Sequence, residues 1–194
     1  EVVVVSQPKE AFRLRQQSLS STSVGGFQIQ KLGTRDLREL SSYIPNFVMP
    51  NYGSRLSSAM YVRGIGSRVN SPAVGIYLDG IPVMSKSAFN LHHYQTSRID
   101  ILRGPQATLY GQNTEGGRVR IYSRNPFEYE GTDLKLSYGS RYYRNVELAH
   151  YHRINDHLAF TVAAFNDAQK GFFRNTNTGN RADKYDEAGG KIVL

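Results

Sequence analysis

The sequence predicts an α+β domain followed by a second region of antiparallel β-strands. In the first region, one segment has leucines at helical spacing, and several short apolar segments bounded by glycine follow it. Beyond Pro126 the pattern changes to longer segments in which apolar and polar residues alternate. A mixture of helices and short strands is typical of the α+β class, and alternation is typical of strands with two different faces.

The first region contains one clear helix. Its apolar residues recur at spacings of three and four: Leu37, Leu40 and Tyr43 or Ile44. Thr34 is the expected N-cap, and Pro45 ends the helix because proline disfavours helical geometry in the residue before it. Four short β-prone segments follow, at residues 60–63, 74–78, 98–102 and 118–122.

The rest of the first region carries weaker patterns. The valine-rich residues 2–5 are expected to be extended, residues 11–23 to form a serine-rich loop, and residues 27–29 to form a short strand after two glycines. Residues 85–95 are expected to be partly helical. Residues 106–109 leave room for one helical turn.

The second region is expected to contain four longer strands. They are placed near residues 132–139, 145–153, 157–166 and 185–194. A short turn at 139–144, a tighter turn at Asn155-Asp156 and a long polar loop at 167–184 connect them. In the first strand Leu134, Leu136 and Tyr138 share one face, and Asp133, Lys135 and Ser137 share the other.

Two interpretations of these four strands remain open. Segments of about ten residues with aromatic residues near their ends are typical of strands that cross an outer membrane as a barrel. A soluble antiparallel sheet is the alternative, because each strand pattern is weak by itself. Since the smallest single-chain barrels have about eight strands, the barrel interpretation expects that this chain is part of a longer one.

The composition limits the chemistry available to the chain. Of 194 residues, 39% are hydrophobic and 21% are charged, which is ordinary for a globular protein. Cysteine is absent, so disulfides, thiolate metal sites and thiol nucleophiles are excluded. Residues 1–125 carry 15 basic and 7 acidic residues, and residues 126–194 carry 9 of each. The net charge of +8 therefore lies in the first region, where it suits a nucleic acid, a lipid headgroup, an acidic ligand or merely a solvated surface.

Motifs for nucleotide binding and covalent catalysis do not occur in the sequence. Gly64-Ile65-Gly66 is followed by Val69 where a dinucleotide fingerprint needs glycine, and there is no phosphate-loop lysine or Gly-x-Ser-x-Gly elbow. Asp79 and Asp100 are isolated carboxylates beside a turn or a strand edge, where a structural cap is the expected role. We expect neither an enzyme nor a bound cofactor.

The histidines are poor candidates for a metal site. His92 and His93 are adjacent, so their side chains diverge on either a strand or a helix. His150 and His152 can share one strand face, but a third ligand is missing from the pattern. No metal site is expected.

Three sequence blocks in the first region have a characteristic order and spacing. They read Tyr61-Val62-Arg63-Gly64-Ile65-Gly66-Ser67, Val74-Gly75-Ile76-Tyr77-Leu78-Asp79-Gly80-Ile81-Pro82 and Arg98-Ile99-Asp100-Ile101-Leu102-Arg103-Gly104-Pro105-Gln106-Ala107-Thr108-Leu109-Tyr110-Gly111. With residues 113–117 and a strand that ends at 123–126, they resemble the plug domain of TonB-dependent outer-membrane receptors. Residues 102–106 differ from the Leu-Lys-Asp-Ala-Ser of the SusC-like branch, so the resemblance is to the siderophore and small-ligand branch.

The resemblance implies a domain organisation and a function. It implies a TonB-box-like segment at residues 1–7, a plug domain at 8–126, and about the first four strands of an incomplete transmembrane β-barrel at 127–194. The implied function is TonB-dependent import of a scarce ligand across the outer membrane of a Gram-negative bacterium. The plug lies inside the barrel with its N-terminus in the periplasm. An iron chelate is the first candidate ligand, followed by haem or a cobalamin-like molecule.

The resemblance also implies the partners and contact residues. The partners are the C-terminal domain of TonB, the extracellular ligand and, through the barrel, outer-membrane lipid. The TonB-binding residues are Glu1, Val2, Val3, Val4 and Val5, and the alternative is that they form an ordinary first strand of the plug sheet. Arg63 and Arg103 are candidates for ion pairs with barrel carboxylates. Ligand-contact candidates in the loops at 49–58 and 66–73 are Asn51, Tyr52, Arg55, Arg68 and Asn70.

The sequence departs from the family pattern at three positions. Ala107 replaces a common glycine, while Arg118 and Arg120 replace small or neutral residues. The two arginines alternate with Val119 and Ile121, so this strand is expected to have an unusually basic face.

Two other classes of protein are alternatives to a TonB-dependent receptor. A soluble basic nucleic-acid-binding domain accounts for the net charge and the tyrosines, but it predicts basic residues clustered with aromatic ones rather than spread through three glycine-bounded blocks. A periplasmic enzyme needs a group of acid, base or nucleophile that the sequence lacks.

Overall fold

The computed structural model describes residues 20–53, 58–68, 71–105 and 114–194. The chain divides into two compact units after Ser123, here called the N-terminal unit and the C-terminal unit. Within the described ranges, none of the helices has the length and apolar character needed to cross a membrane.

A five-stranded mixed sheet organises the N-terminal unit. Its strands are β1 (Ser20–Gly25), β5 (Val74–Leu78), β6 (Ile81–Pro82), β7 (Thr96–Arg103) and β8 (Gly117–Ser123), in the spatial order β1-β7-β8-β5-β6. Neighbouring strands are antiparallel except for β5 and β8, which are parallel. Two short helices, α1 (Gly26–Leu32) and α2 (Leu37–Ser41), and a 3₁₀ turn at Lys86–Ala88 complete the larger elements. The predicted α+β class is confirmed for this unit.

The core of the N-terminal unit lies on one face of this sheet. Because side chains alternate along a strand, Ile99 and Ile101 of β7 share that face with Val119 and Ile121 of β8. Residues from the helices and the remaining strands also belong to the core: Val24, Ile29, Leu37, Leu40, Ile44, Phe47, Val62, Val74, Ile76 and Phe89. The β-branched residues of the central strands thus pack against leucines of α2.

The predicted helix is confirmed over Leu37–Ser41, but its N-cap is Asp36 and not Thr34. Asp36 Oδ1 accepts a hydrogen bond from the backbone N–H of Glu39 at 2.9 Å, whereas the Thr34 side chain is buried. The aspartate stands three residues before the donor, which is the spacing a cap requires. The helix also ends earlier than Pro45 predicts, at Ser41.

Residues 20–32 contradict the prediction of a loop followed by a strand. Ser20–Gly25 form strand β1, which pairs with β7 along its whole length from Ser20↔Arg103 to Gly25↔Arg98. Gly26–Leu32 form helix α1, which begins with the Gln28 side chain accepting from Gly25 N and ends at Gly33 in the left-handed conformation. Tertiary pairing overrides local propensity here, because an edge strand tolerates small polar side chains when its partner strand is fixed.

Two tight hairpins lie at the sequence blocks rich in glycine. Strands β2 (Phe47–Val48), β3 (Tyr61–Val62) and β4 (Ile65–Gly66) form a small antiparallel sheet. Arg63 and Gly64 connect β3 to β4, and Asp79 and Gly80 connect β5 to β6; all four residues have positive φ. Two left-handed residues in a two-residue loop match the right-handed twist of the flanking strands. The predicted turn at Asp79-Gly80 is confirmed.

The C-terminal unit is a four-stranded antiparallel meander. Its strands are β9 (Gly131–Gly139), β10 (Tyr143–Arg153), β11 (Ala159–Gln169) and β12 (Tyr185–Val193), and a 3₁₀ turn at Ser140–Tyr142 joins the first two. All four predicted strands are confirmed, but β11 extends to Gln169, three residues beyond its predicted end. The polar residues 167–169 were expected in the loop, but they pair with residues 185–187 of β12. The Tyr185 hydroxyl also donates to Asp167 Oδ1 at 3.3 Å.

The two faces of the C-terminal sheet differ in character. One face carries exposed apolar residues: Leu134, Leu136, Tyr138, Val146, Leu148, Val162 and Ile192. The strand register places them side by side, as in the pairs Leu136↔Val146 and Leu134↔Leu148. The other face carries mostly polar side chains, including an ion pair between Lys135 Nζ and Glu147 Oε1 at 3.0 Å. The predicted alternation is confirmed, and we call the exposed apolar side the outward face.

Candidate functional site

The structure brings two tyrosines and an arginine together at the loops around the small sheet. Tyr52 Oη and Tyr61 Oη lie 3.1 Å apart, within hydrogen-bonding distance. The Arg68 guanidinium lies over the Tyr52 ring, 4.4 Å from its centroid, in a cation–π contact. The hydrogen bond with Tyr52 and burial raise the pKa of Tyr61. We call Tyr52, Tyr61 and Arg68 the tyrosine–arginine cluster.

Local backbone contacts hold this cluster in position. Asn51 Oδ1 accepts from Gly53 N at 2.9 Å, which forms a turn beside Tyr52. Lys86 Nζ donates to Ser67 O at 2.9 Å and ties the segment before Arg68 to the turn at residues 86–88. A side chain at Gly66 is not compatible with the cluster, because its Cβ would overlap Met60 O and the Tyr61 ring.

Two of the five predicted ligand-contact residues therefore belong to the tyrosine–arginine cluster. They are Tyr52 and Arg68, and Asn51 supports the turn next to them. Arg55 and Asn70 lie outside the described residues. The sequence analysis did not identify Tyr61 as a ligand-contact candidate, although this residue opens the first sequence block. Its contact with Tyr52 becomes visible only in the structure.

Arg63 and Arg103 are close enough to repel each other. The Arg103 guanidinium donates to Thr22 Oγ1 at 2.8 Å, to Ser20 Oγ at 3.1 Å and to Pro45 O at 3.2 Å. Burial and then the charge of Arg63 lower the pKa of Arg103. The acceptors around Arg103 are neutral, so within the described ranges they solvate its charge without balancing it.

A buried group of charges covers the second face of the five-stranded sheet. Asp100 is fully buried, with Arg98 Nε 3.2 Å from its Oδ2, and stands opposite Arg120 in the strand register. Burial raises the pKa of Asp100, and Ser23, Arg98 and Arg120 oppose that rise. On the same face the Arg118 guanidinium lies 3.6 Å from the centroid of the Tyr77 ring.

These contacts change the expectations for the two aspartates. Asp79 is the structural cap that the sequence predicts: its carboxylate accepts from Ser123 N and Ser123 Oγ, each at 2.7 Å. The view of Asp100 as an isolated carboxylate near a turn or strand edge is wrong. It lies in the middle of β7, on the same face as Arg98 two residues earlier, and strand pairing brings Arg120 opposite it. The basic face predicted for Arg118 and Arg120 is present, and it is buried.

The adjacent histidines serve the packing of the loop at residues 89–95 against α2. His92 forms a β-bridge with Asp36, and His93 N donates to Arg35 O at 2.8 Å. Both ring nitrogens of His93 are shielded from solvent, and the residue as a whole is half-buried. Burial lowers the pKa of His93 to about 4, against the opposing charges of Asp36 and Glu39.

His150 and His152 do share one strand face. Their rings stack with a centroid distance of 6.2 Å, and both contact Phe160 on the next strand. His150 Nδ1 lies 2.8 Å from Thr132 Oγ1. Across the described ranges, no group of three or more histidine or acidic side chains is arranged to hold a metal ion.

Comparisons with known proteins decide the family. The family model for the TonB-dependent receptor plug domain matches residues 13–118, more than half of the chain. The chain belongs to this family. The pesticin receptor of Yersinia pestis is 32% identical over 128 residues, which cover 64% of this chain and 19% of the receptor. The catecholate siderophore receptor Fiu of Escherichia coli K12 is 27% identical over 146 residues, which cover 72% of this chain and 18% of the receptor.

A solved structure supports the same assignment for the fold. The ferric yersiniabactin uptake receptor FyuA of Yersinia pestis matches 90% of this chain with a TM-score of 0.75 and 27% identity, and the match covers 27% of that receptor. Because the match extends well past Ser123, it includes antiparallel strands of the C-terminal unit. The chain spans about a fifth of the length of the curated relatives that it matches. The nucleic-acid-binding alternative finds no support in these comparisons.

The tyrosine–arginine cluster and the Arg63 and Arg103 pair lie within the residues matched by the plug family. So do Arg98, Asp100 and Arg118 of the buried group of charges, whereas Arg120 lies two residues beyond the match. The predicted TonB-binding residues 1–5 lie outside that match and outside the described residues.

Acid is expected to loosen the loop that holds His93. Its pKa is about 4 in the folded protein and 6.5 ordinarily, so below pH 6.5 the unfolded loop binds more protons than the folded one. The free energy of local opening should fall by about 2 kcal/mol between pH 7 and pH 5. Hydrogen exchange of peptides covering residues 85–95 in the whole receptor, corrected for intrinsic rates, measures this change.

The matched variants are His93→Leu, which removes the titrating ring, and His157→Leu, which removes an exposed histidine from the C-terminal unit. The first should abolish the pH dependence of opening, and the second should leave it unchanged. A pH dependence that persists in His93→Leu would contradict the assignment.

Proposed function

We propose that this chain is the gating plug and the first barrel strands of a receptor that imports an iron chelate across the outer membrane. Catalysis plays no part: the ligand binds above the plug, TonB grips the N-terminal segment, and force applied there remodels the plug to open a path. Membership of the plug family carries this proposal. Relatives named for catecholate siderophores, ferrioxamine B and ferric yersiniabactin favour iron chelates as the ligand class.

The domain organisation follows from the same proposal. Residues 1–7 are the energy-coupling segment, residues 8–126 the plug, and residues 127–194 about the first four strands of the barrel. The exposed apolar residues of the outward face, such as Leu136 and Leu148, suit contact with outer-membrane lipid. The plug then lies within the barrel, and its N-terminus faces the periplasm.

The chemistry of the tyrosine–arginine cluster fits an anionic, oxygen-rich chelate. Arg68 is exposed and supplies a cation. Because Tyr52 and Tyr61 share one hydrogen bond, the pair has one further hydroxyl proton to donate to a carboxylate, hydroxamate or catecholate oxygen. The exposed Asn51 adds an amide at the same loop. Arg55 and Asn70 are proposed for the same loops from the sequence. A neutral cobalamin-like ligand would gain less binding free energy from this cluster than a charged iron chelate. Haem would gain it only through the carboxylates at the edge of its ring.

Removing the cation should weaken chelate binding. Arg68→Gln in the whole receptor is expected to raise the Kd for a ferric chelate about tenfold, the cost of one charge-assisted contact. Lys31→Gln removes an exposed charge elsewhere in the plug and should leave the Kd unchanged. Calorimetric titration measures the Kd of each variant for ferric catecholate, ferric hydroxamate, haem and cobalamin. The ligand with the lowest Kd identifies the ligand class. Equal Kd values for Arg68→Gln and the unmodified receptor would remove Arg68 from the site.

The valine-rich start of the chain suits recognition by TonB. A β-prone segment can add to the exposed sheet edge of a partner, where backbone hydrogen bonds provide affinity that depends little on side chains. Glu1, Val2, Val3, Val4 and Val5 have this composition. The competing assignment, an ordinary first strand of the plug sheet, predicts a structural rather than an energy-coupling role.

A backbone donor should matter more than a side chain in this segment. Val3→Pro removes one N–H and is expected to abolish TonB-driven uptake while chelate binding persists. Val3→Ala keeps the donor and should retain most uptake. Three measurements are made on each variant: uptake in cells, chelate binding, and titration with the TonB C-terminal domain. The titration is repeated with a receptor that lacks residues 1–7. Loss of chelate binding in Val3→Pro would favour the structural role.

Arg63 and Arg103 are proposed to pair with carboxylates of the barrel wall. The charge of Arg63 acts on Arg103, and the acceptors that Arg103 meets among the described residues are neutral, so a carboxylate of the barrel wall would neutralise its charge. Such pairs at the plug boundary would hold the plug closed and could be broken when the plug is remodelled.

The arginine pair should therefore limit leakage. Arg63→Ala or Arg103→Ala is expected to loosen the plug and raise the entry of large antibiotics that an intact outer membrane excludes, while Lys31→Ala should not. Growth inhibition by vancomycin in cells expressing equal amounts of each receptor provides the measurement. If neither arginine variant changes sensitivity, the proposed pairing is wrong.

A further inference from the structure

A cleft of about 620 Å³ lies at one end of the C-terminal sheet. Its lining residues are Tyr138, Tyr142, Arg144, Ala168, Gln169, Lys170, Lys184, Tyr185 and Asp186. They come from all four strands, from the turn between β9 and β10, and from both ends of the loop between β11 and β12. The cleft therefore exists only because the meander brings distant parts of the sequence together.

The strand register places two charged side chains of the cleft, Arg144 and Asp186, in one row on the outward face. Arg144 stands opposite Ala168, which stands opposite Asp186. Arg144 Nη2 reaches across this alanine to Asp186 Oδ2 at 3.3 Å. Asn166 Nδ2 also donates to Asp186 Oδ1, at 2.9 Å. Both partners of the ion pair are about 60% exposed, so the pair is weak and Arg144 can turn to another anion.

The loop between β11 and β12 brings two lysines to the rim of the cleft. The Asp183 carboxylate accepts from the backbone N–H groups of Phe172 and Phe173 at 2.8 to 2.9 Å, which ties the two ends of the loop together. Lys170 and Lys184 lie at these two ends and are both exposed. Lys170 Nζ sits 3.8 Å from the centroid of the Tyr142 ring.

The cleft therefore has an excess of positive charge. Arg144, Lys170 and Lys184 line it together with a single carboxylate, that of Asp186. Tyrosine rings flank these cations, and Tyr138 on the outward face is 80% exposed. Cations clustered between aromatic rings are suited to a phosphorylated group that also has carbon surface, such as a sugar phosphate.

The position of the cleft in the sheet indicates its surroundings. In outer-membrane barrels the long loops are extracellular and the short turns periplasmic. The end of the sheet that carries the cleft has the long loop 170–184 beside the turn 140–142, and the other end has the short turn 154–158. On the outward face the apolar residues Leu134, Leu136 and Leu148 continue from the cleft towards the middle of the sheet. This step rests on the proposed function, which puts these strands in an outer membrane.

We propose that this cleft binds the phosphorylated sugar headgroup of an outer-leaflet glycolipid. The lysines and Arg144 contact phosphate oxygens, Tyr138 and Tyr142 pack against the sugars at the height of the membrane interface, and the acyl chains lie along the apolar outward face. The continuity between the cationic cleft and the apolar face favours a lipid over a free anion. A soluble phosphate would gain nothing from the apolar residues below the cleft.

Binding of purified lipid A to the whole receptor in detergent tests the proposal, with native mass spectrometry as the readout. The variant Lys170→Gln/Lys184→Gln removes both rim cations without disturbing the strand pairing. Arg153→Gln/Arg174→Gln is the matched control, since it removes two charges outside the cleft, one at the opposite end of the sheet and one at the tip of the loop. Dephosphorylated lipid A and inorganic phosphate are the comparison ligands.

The rim variant should bind lipid A about tenfold more weakly than the unmodified receptor, and the control variant should bind it equally well. Dephosphorylated lipid A should bind weakly to the unmodified receptor and to both variants. Equal lipid A binding by the rim variant would overturn the proposal. Displacement of lipid A by inorganic phosphate at similar concentration would also overturn it, because the cleft would then be a free-anion site.

Calorimetric titration of the same preparations with a ferric chelate separates this proposal from the proposed function. The rim variant should bind the chelate normally. If the chelate binds normally and the rim and control variants bind lipid A equally, only the glycolipid cleft is refuted. If the rim variant binds lipid A more weakly than the control but no receptor binds a chelate, the import function is refuted and the glycolipid cleft is supported.

Discussion

The antiparallel pairing of β7 with β8 is the constraint on which the plug fold depends. Ile101 and Val119 lie side by side on the core face of this pair, while Asp100 and Arg120 lie side by side on the other face. Because side chains alternate with a period of two, a slip of one residue would move the charges into the apolar core. The cost of burying an unpaired carboxylate or guanidinium therefore fixes the register of the central strands.

The other strands and candidate contacts take their positions from this pair. Strand β1 attaches to the free edge of β7, where Arg103 at the strand end bonds Ser20 and Thr22. Strand β5 attaches in parallel to β8, and at Gly117 a side chain would overlap Leu102 O. The first described strand after the proposed TonB-binding segment is thus an edge strand, held by backbone hydrogen bonds, by Arg103 and by Val24 in the core.

Local sequence patterns gave the fold class and most of the strands, and they failed where tertiary pairing dominates. Leucine spacing placed Leu37 and Leu40 in a helix that buries both, and alternation placed the strands of the C-terminal sheet. The serine-rich residues of β1 have little strand propensity, so only the exposed edge of β7 makes them a strand. The N-cap was assigned to Thr34 rather than Asp36 because both residues can cap and only the backbone direction selects one.

The sequence by itself determined the family, since the three glycine-bounded blocks identify the plug and alternation identifies a sheet with one apolar face. It also gave Tyr52 and Arg68 as candidates. Only the tertiary structure joined them to Tyr61, paired Asp100 with Arg120, and gathered the cations of the cleft. The physical reason is that short-range periodicity records which side of a strand a residue occupies, whereas contacts between residues far apart in the chain depend on sheet order and register.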